Sequence, residues 1–232
     1  MIGIIGAMAV EVEGLIAAME NKSPETVSRM TFWRGTLAGV ECVVAQCGAG
    51  KVNSAVCAQT MILRYGASPI INTGVAGGVG SRAVRIGDLV VAEGVTQHDY
   101  DTTPIDGDKG RDLPILGRSV LETDARVSGL LADCAREVYN GNVHRGLIAT
   151  GDQFIGGKER LHAIAERTGA IACEMEGGSI GQVCYINKVP FTVVRAISDN
   201  ANDDAHMDYP KFLKIAVKKS FELLTELMPL LA

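Results

Sequence analysis

Carboxylates follow three apolar segments of this sequence, and their positions indicate acid–base chemistry. The acidic residues are Glu11, Glu174, Glu176 and Asp199. Buried strands of an α/β sheet deliver charged side chains in this way, where each strand ends at the rim of the sheet. We therefore expect these carboxylates to converge on one pocket.

Glu174 and Glu176 are separated by Met175, which follows the apolar start of the same segment. Alternation along a strand places the two carboxylates on one side and Met175 on the other. Crowded carboxylates repel each other and lose hydration, so they need hydroxyl donors or a cation, and Arg195 is the candidate cation. The alternative is a set of solvated charges at strand ends.

Two glycine-rich segments, residues 73–78 and 151–157, follow apolar strands. Glycine lets a backbone approach a ligand closely and present N–H groups, which makes Gly77 a candidate binding residue; a tight turn with nothing bound is the alternative. Gly48–Lys51 lacks the first glycine and the Ser/Thr of a phosphate loop, and no dinucleotide fingerprint opens a helix. Binding sites for a nucleoside triphosphate or for NAD are therefore not expected.

Composition narrows the class of protein further. The chain has 232 residues, 47% of them hydrophobic, and a net charge of −5 with scattered basic residues. We expect a single domain over residues 1–232, in the cytoplasm, with no nucleic-acid or membrane partner. The spacing of histidines and cysteines favours buried reduced thiols and neither a metal nor another cofactor.

Hydrophobic periodicity predicts strands that alternate with helices, and hence an α/β fold whose mostly parallel mixed sheet is covered on both faces. The predicted strands are 2–5, 30–37, 40–46, 69–73, 88–93, 143–149, 170–175 and 191–197. The predicted helices are 10–19, 52–65, 124–139, 158–167, 177–187 and 211–230. A polar loop over 97–118 is long enough to be functional.

Taken together, the motifs resemble those of 5′-methylthioadenosine/S-adenosylhomocysteine nucleosidases in the purine nucleoside phosphorylase superfamily. The similarity runs from the first strand to the terminal helix. It rests on the ordered segments 3–8 with Glu11, 71–74, 76–78, 151–155, 174–176 and 195–199. The resemblance implies a three-layer α/β/α fold, a homodimer, and an adenine nucleoside as substrate.

The resemblance also implies roles for individual residues. Asp199 would protonate adenine N7 and Ser198 would orient it, while Glu11 would activate water with help from Arg195. Glu176 and the Met175 backbone would hold the ribose hydroxyls. Adenine would stack on the ring of Phe154, and the main chain of Ile155 would recognise its Watson–Crick edge. When the N-glycosidic bond breaks, positive charge develops on the sugar and negative charge on the purine. Carboxylates near the ribose and a proton donor near the base therefore both favour the transition state.

The pocket for the 5′ substituent departs from the family pattern at three positions. Val75 stands where serine is common, Ala49 where a larger aliphatic residue is common, and Ile105 where the partner subunit usually supplies an aromatic ring. Met8 and Tyr209 fit an apolar pocket. The implied cavity is therefore roomier than usual.

Three alternatives remain open. A phosphorylase would need cations near the first turn and residues 73–78, where the sequence has none. A nucleosidase acting on futalosine-type menaquinone precursors would share the same acids. A non-catalytic nucleoside-binding module would be consistent with Val75 and Ala49, but not with retention of Glu11, Glu176 and Asp199.

Overall fold

The computed structural model describes residues 1–79, 84–199 and 205–232, without the side chains of 199, 205–212 and 214. In these stretches ten strands form one sheet. The strands are β1 (Ile2–Gly6), β2 (Glu20–Val27), β3 (Met30–Leu37), β4 (Val40–Gln46), β5 (Ile70–Gly78), β6 (Leu89–Gln97), β7 (Val120–Glu122), β8 (Val143–Thr150), β9 (Ala172–Glu174) and β10 (Phe191–Asp199).

Seven α-helices connect the strands within the described stretches. They are α1 (Ala9–Ala18), α2 (Lys51–Tyr65), α3 (Thr103–Asp106), α4 (Ala125–Val138), α5 (Lys158–Thr168), α6 (Gly177–Asn187) and α7 (Ala205–Leu227). Two 3₁₀ turns, Gly107–Lys109 and Met228–Leu231, follow α3 and α7. None of the helices in the described residues is both long and apolar enough to cross a lipid bilayer.

The strand order is β10-β6-β8-β9-β5-β1-β4-β3-β2, and β7 pairs with β6. Because β10 also pairs with β5, the first five strands in this order close into a circuit. Parallel pairing joins β1 to β4 and β5, β5 to β10, β6 to β8, and β8 to β9. The other pairs are antiparallel, so the sheet is mixed.

Helices cover both faces of this sheet and produce the predicted three-layer α/β/α architecture. On one face α2 and α6 contribute Met61 and Ile180 to a buried cluster that includes Phe32 and Phe191. On the other face α1, α4 and α7 bury Leu15, Leu131 and Leu224 against Ile4 and Leu89. Burial of apolar area on both faces holds the strand ends in fixed positions.

The structure corrects four predicted elements. β5 continues through the glycine-rich residues to Gly78, beyond its predicted end at 73, because β10 and β9 both pair with them. β9 ends at Glu174 rather than at 175. The strands β2 and β7 were not predicted, and the polar loop 97–118 contains the short helix α3. Helix α7 begins at Ala205, before the predicted position 211.

Candidate active site

Arg195, from β10, is the centre of a buried cluster of acids and is only 1% exposed. Its Nη2 atom donates to a Glu174 carboxylate oxygen and to the amide oxygen of Asn72. A second carboxylate, Glu176 Oε2, lies 3.6 Å from the same nitrogen. The charges of Glu174, Glu176 and Glu11 outweigh the effect of burial and raise the pKa of Arg195. A charge buried this deeply persists only with such partners.

Glu174 is held from all sides. The hydroxyl of Thr150 donates to Oε1, and the backbone N–H groups of Glu176 and Gly177 donate to the carboxylate at 2.8–3.0 Å. With Arg195 added, its oxygens are fully engaged. Glu174 therefore positions Arg195 and the start of α6, a role that the sequence analysis did not assign to it.

Glu176 is buried like Glu174, but its carboxylate accepts fewer hydrogen bonds. Its Oε1 accepts a hydrogen bond of 2.9 Å from Gly50 N, and its Oε2 faces Arg195. Burial and the charge of Glu174 raise the pKa of Glu176 to about 7. The prediction that Arg195 neutralises this pair of acids is confirmed. The alternation argument is wrong, because Glu176 lies beyond the end of β9, at the start of α6.

Glu11 lies in the first turn of α1, and three backbone N–H groups fix its carboxylate. Ala7 N and Met8 N donate to Oε2 at 2.7 and 2.9 Å, and Val75 N donates to Oε1 at 3.2 Å. Burial raises the pKa of Glu11, although Arg195 and these N–H groups act in the opposite direction. A carboxylate with a raised pKa is a stronger base, which suits proton abstraction near neutral pH.

Gly74 separates Glu11 from Arg195. A Cβ atom at this position would lie 2.6 Å from Glu11 Oε1 and 3.3 Å from Arg195 Nη1. Side chains of both charged residues therefore occupy the space over the middle of β5. Only glycine leaves that space open, which explains a glycine inside a central strand.

The residues predicted to bind a base lie together on the other side of Glu174. A small cavity of about 40 Å³ is lined by Gly77, Phe154, Ile155 and Met175, together with Glu174. Ile155 is buried, whereas the ring of Phe154 is 59% exposed.

The remaining predicted residues are only partly described. The side chains of Asp199 and Tyr209 lie outside the described residues, although the backbone of Asp199 ends β10 opposite Gly77. Ser198 is buried, and its hydroxyl lies 3.4 Å from the carbonyl oxygen of Ala76. Ile105, in α3, is 87% exposed. It does not join the acid cluster of its own chain.

The arrangement is built for a ligand that becomes positively charged. Three carboxylates, from Glu11, Glu174 and Glu176, surround Arg195. One arginine cannot neutralise three acids, so the remaining negative charge would repel an anionic ligand such as phosphate. In the described part of the chain, no group of three or more His, Cys, Asp or Glu is arranged to hold a metal ion. The polar groups that remain are acceptors and bases suited to hydroxyl groups and to water.

Comparison with known proteins identifies similar chains. Residues 1–229 match the family model of the phosphorylase superfamily. The 5′-methylthioadenosine/S-adenosylhomocysteine nucleosidase of Haemophilus influenzae is 36% identical over 228 residues, which is 98% of each chain.

Solved structures are similar over the same length. The nucleosidase of this name from Neisseria meningitidis, in complex with methylthio-immucillin-A, superposes with a TM-score of 0.91 at 34% identity and covers 97% of each chain. A futalosine hydrolase of Helicobacter pylori superposes with a TM-score of 0.90 at 33% identity, over 98% of this chain and 97% of its own.

Proposed function

This chain belongs to the 5′-methylthioadenosine/S-adenosylhomocysteine nucleosidase family of the phosphorylase superfamily, and from that premise we propose its reaction. It is an N-glycosyl hydrolase that cleaves 5′-methylthioadenosine and S-adenosylhomocysteine with water. The products are adenine and the corresponding thioribose. The observation that carries this assignment is the buried Glu11, whose carboxylate accepts three backbone N–H groups and whose pKa is raised by burial although the charge of Arg195 lowers it.

Glu11 decides between water and phosphate as the nucleophile. A phosphorylase must bind an anion beside the sugar, whereas here a carboxylate with a raised pKa occupies the turn after β1. Glu11 takes a proton from water and becomes the neutral acid, while Arg195 keeps the carboxylate ionised before the transfer. The water then attacks the anomeric carbon as the bond to the base breaks.

The ribose is held by Glu176 and the backbone of Met175. An ionised Glu176 accepts hydrogen bonds from the ribose hydroxyls and faces the positive charge that develops on the sugar in the transition state. Its raised pKa means that ribose binding is coupled to its ionisation.

The base departs as adenine once its N7 is protonated. We assign this proton to Asp199 and the orientation of Asp199 to Ser198, as the family resemblance implies. The base stacks on the ring of Phe154 and is read by the main chain of Ile155. Support for this placement comes from the cavity that Phe154 and Ile155 share with Gly77 and Met175.

The 5′ substituent lies in an apolar pocket formed by Met8, Ala49 and Tyr209, and by Ile105 of a second copy in a homodimer. Ile105 is 87% exposed on α3 and does not contact the acid cluster of its own chain, so this arrangement requires a second copy to bring it to the site. We further propose that the enzyme acts in the cytoplasm, in methionine salvage.

A second substrate class is favoured by one specific observation. A futalosine hydrolase is as similar to this chain as the methylthioadenosine nucleosidases are. Aminodeoxyfutalosine carries the same adenine and ribose, and differs in the 5′ group. The acid cluster described here serves either substrate.

An adenine-release assay tests the assignment. The purified protein is given methylthioadenosine, S-adenosylhomocysteine or aminodeoxyfutalosine, with and without phosphate, and both products are identified. We expect phosphate-independent release of adenine and a free thioribose from the first two nucleosides. Formation of a sugar 1-phosphate would establish a phosphorylase instead, and binding without release would establish a non-catalytic module.

A further inference from the structure

Three loops beside the active site are joined by one closed ring of hydrogen bonds. Lys51 Nζ donates to Asp99 Oδ1 at 2.7 Å and to Gln97 Oε1 at 3.2 Å. The other oxygen of Asp99 accepts a bond of 2.8 Å from the backbone N–H of Asp152. Asp152 Oδ1 in turn accepts a bond of 2.7 Å from Lys51 N. We call Lys51, Asp99 and Asp152 the clasp.

The two ends of the clasp lead to different parts of the proposed substrate. Gly50, the residue before Lys51, donates its N–H to Glu176, which holds the ribose in the proposed function. Asp152 lies two residues before Phe154, on the segment that lines the base cavity. The clasp is therefore one link between the sugar side and the base side, in addition to the bond of 3.1 Å from Gly151 N to the carbonyl oxygen of Glu174.

The clasp is more enclosed than an ordinary surface ion pair. The side chains of Lys51 and Asp99 are 20% and 21% exposed. Burial acts to raise the pKa of Asp99, but the bonds from Lys51 and Asp152 N outweigh it and lower that pKa. Gly50 has φ +99°, and a Cβ there would lie 3.0 Å from Asp152 Oδ1, so the backbone at Gly50 packs against the Asp152 side chain. The ammonium group of Lys51 pairs with Asp99, whereas Asp152 is bound by the backbone N–H of Lys51.

We propose that Lys51 is a positioning residue for nucleoside cleavage, which fixes the base-binding segment at a set distance from Glu176. The inference rests on the proposed function, since it assigns the two ends of the clasp to base and ribose. A nucleoside must satisfy both ends at once, whereas free adenine needs only one. Loss of the clasp therefore weakens catalysis on the nucleoside more than it weakens binding of adenine.

The test compares Lys51→Met with Arg64→Met. Arg64 lies at the other end of α2 and forms an ion pair of the same 2.7 Å length with Glu25, far from the acids, so it is a matched control for losing one salt bridge on this helix. For each variant we measure kcat and KM for methylthioadenosine, the inhibition constant of adenine, and Tm. Lys51→Arg tests whether a conserved charge rescues activity.

We expect Lys51→Met to lower kcat/KM by about 10- to 100-fold, the loss that a small misplacement of reacting groups produces. The inhibition constant of adenine should rise by a smaller factor, Lys51→Arg should recover part of the activity, and Arg64→Met should leave kcat/KM unchanged. Asp99→Asn should reproduce Lys51→Met, and the double variant should lose no more than either single variant.

The possible failures are distinguishable. A wild-type protein that releases no adenine overturns the proposed function and the clasp with it. A wild-type protein that is active, beside a Lys51→Met variant with normal kcat/KM, overturns the clasp alone. A lower Tm with unchanged kinetics, or equal losses for adenine and nucleoside, would show that Lys51 only stabilises the fold. If neither Lys51→Met nor Asp99→Asn folds, by circular dichroism, the clasp is likewise structural and the inference fails.

Discussion

The sugar side and the base side of this site are built in opposite ways. On the sugar side, Arg195, Glu11 and Glu176 are buried and each is already bonded to neighbouring groups. On the base side, Phe154 is 59% exposed beside a small cavity, and Ile105, which the proposed function assigns to the 5′ pocket, is 87% exposed. The acid cluster is therefore preorganised, whereas in the proposed function a ligand and a second copy complete the surface that discriminates among substrates.

The difference follows from the cost of burying charge. An unpartnered buried carboxylate or guanidinium loses several kcal/mol of hydration, so the sugar side must be complete before substrate arrives. Exposing an apolar group such as Phe154 to water costs less free energy than burying an unpartnered charge, so its contact can form when the ligand binds. Substitutions on the sugar side should therefore change rate constants, and those on the base side and in the 5′ pocket should change substrate preference.

The largest effect is expected for Glu11→Gln. Glutamine keeps the shape of the side chain but cannot accept the proton from water, so kcat should fall by about 10³–10⁴-fold. The inhibition constant of adenine should stay near the wild-type value, because the base contacts lie on other strands. Glu13→Gln, at an exposed position in the same helix, is the matched control. Substantial hydrolysis by the Glu11 variant would show that Glu11 is not the general base.

Asp199→Asn should lower kcat by about 10²–10³-fold, because adenine is a poor leaving group without a proton. The effect should nearly vanish on a 4-nitrophenyl riboside, whose leaving group departs as a stable anion. The Glu11→Gln variant should remain inactive on that substrate. Equal losses for the two variants on both substrates would mean that Asp199 does not protonate the base.

Glu176→Gln should lower the activity and raise the free energy of unfolding. We expect kcat/KM to fall by about 10- to 100-fold, the worth of a hydrogen bond to a charged group. Folding raises the pKa of Glu176 from 4.5 to about 7, so its contribution to stability is full below the lower value and is lost as pH rises through the upper one.

Glutamine does not ionise, so this variant should gain about 1–2 kcal/mol in the free energy of unfolding above neutral pH, and little in acid. Urea unfolding across the pH range measures the gain, with the exposed Glu166→Gln as control. A variant that is less stable than wild type at every pH would contradict the burial penalty.

The smallest effect is expected in the 5′ pocket. Ile105→Ala should raise KM for methylthioadenosine by about 10-fold, the worth of a few methylene contacts. Ile115→Ala, on the same loop and 91% exposed, should have no effect. The wild-type enzyme should cleave S-adenosylhomocysteine with efficiency close to that for methylthioadenosine and should sediment as a dimer. A fully active monomer, or rejection of the longer substrate, would exclude this pocket.

Local sequence predicts the apolar elements of the fold well, because burial and chain periodicity determine them together. The hairpin strands 30–37 and 40–46 and the helix 177–187 were predicted with the bounds that the structure has. Strand β2 escaped prediction because Glu20–Val27 is polar and contains Pro24. It becomes a strand only through its antiparallel pairing with β3, which no local pattern reveals.

In the site, the acids and Arg195 were predicted, but the hydrogen bonds that sort their roles were not. Glu174 and Glu176 are equivalent in sequence, yet one is saturated by Thr150 and backbone N–H groups while the other faces the open site. Asn72 was also missed, although it is a polar residue inside an apolar strand and its amide joins Arg195 to the carbonyl oxygen of Ile5. A buried polar side chain of this kind is the signal that would have found it.

The circuit that closes one end of the sheet leaves β2 as the long edge at the other end, where it pairs with β3 alone among the described strands. An open edge is a template on which a second copy can add strand after strand. Lys22, Pro24 and Glu25 lie along that edge, and a proline or a charge there blocks such pairing. The polarity that hides β2 from prediction is therefore its protection against edge-to-edge aggregation.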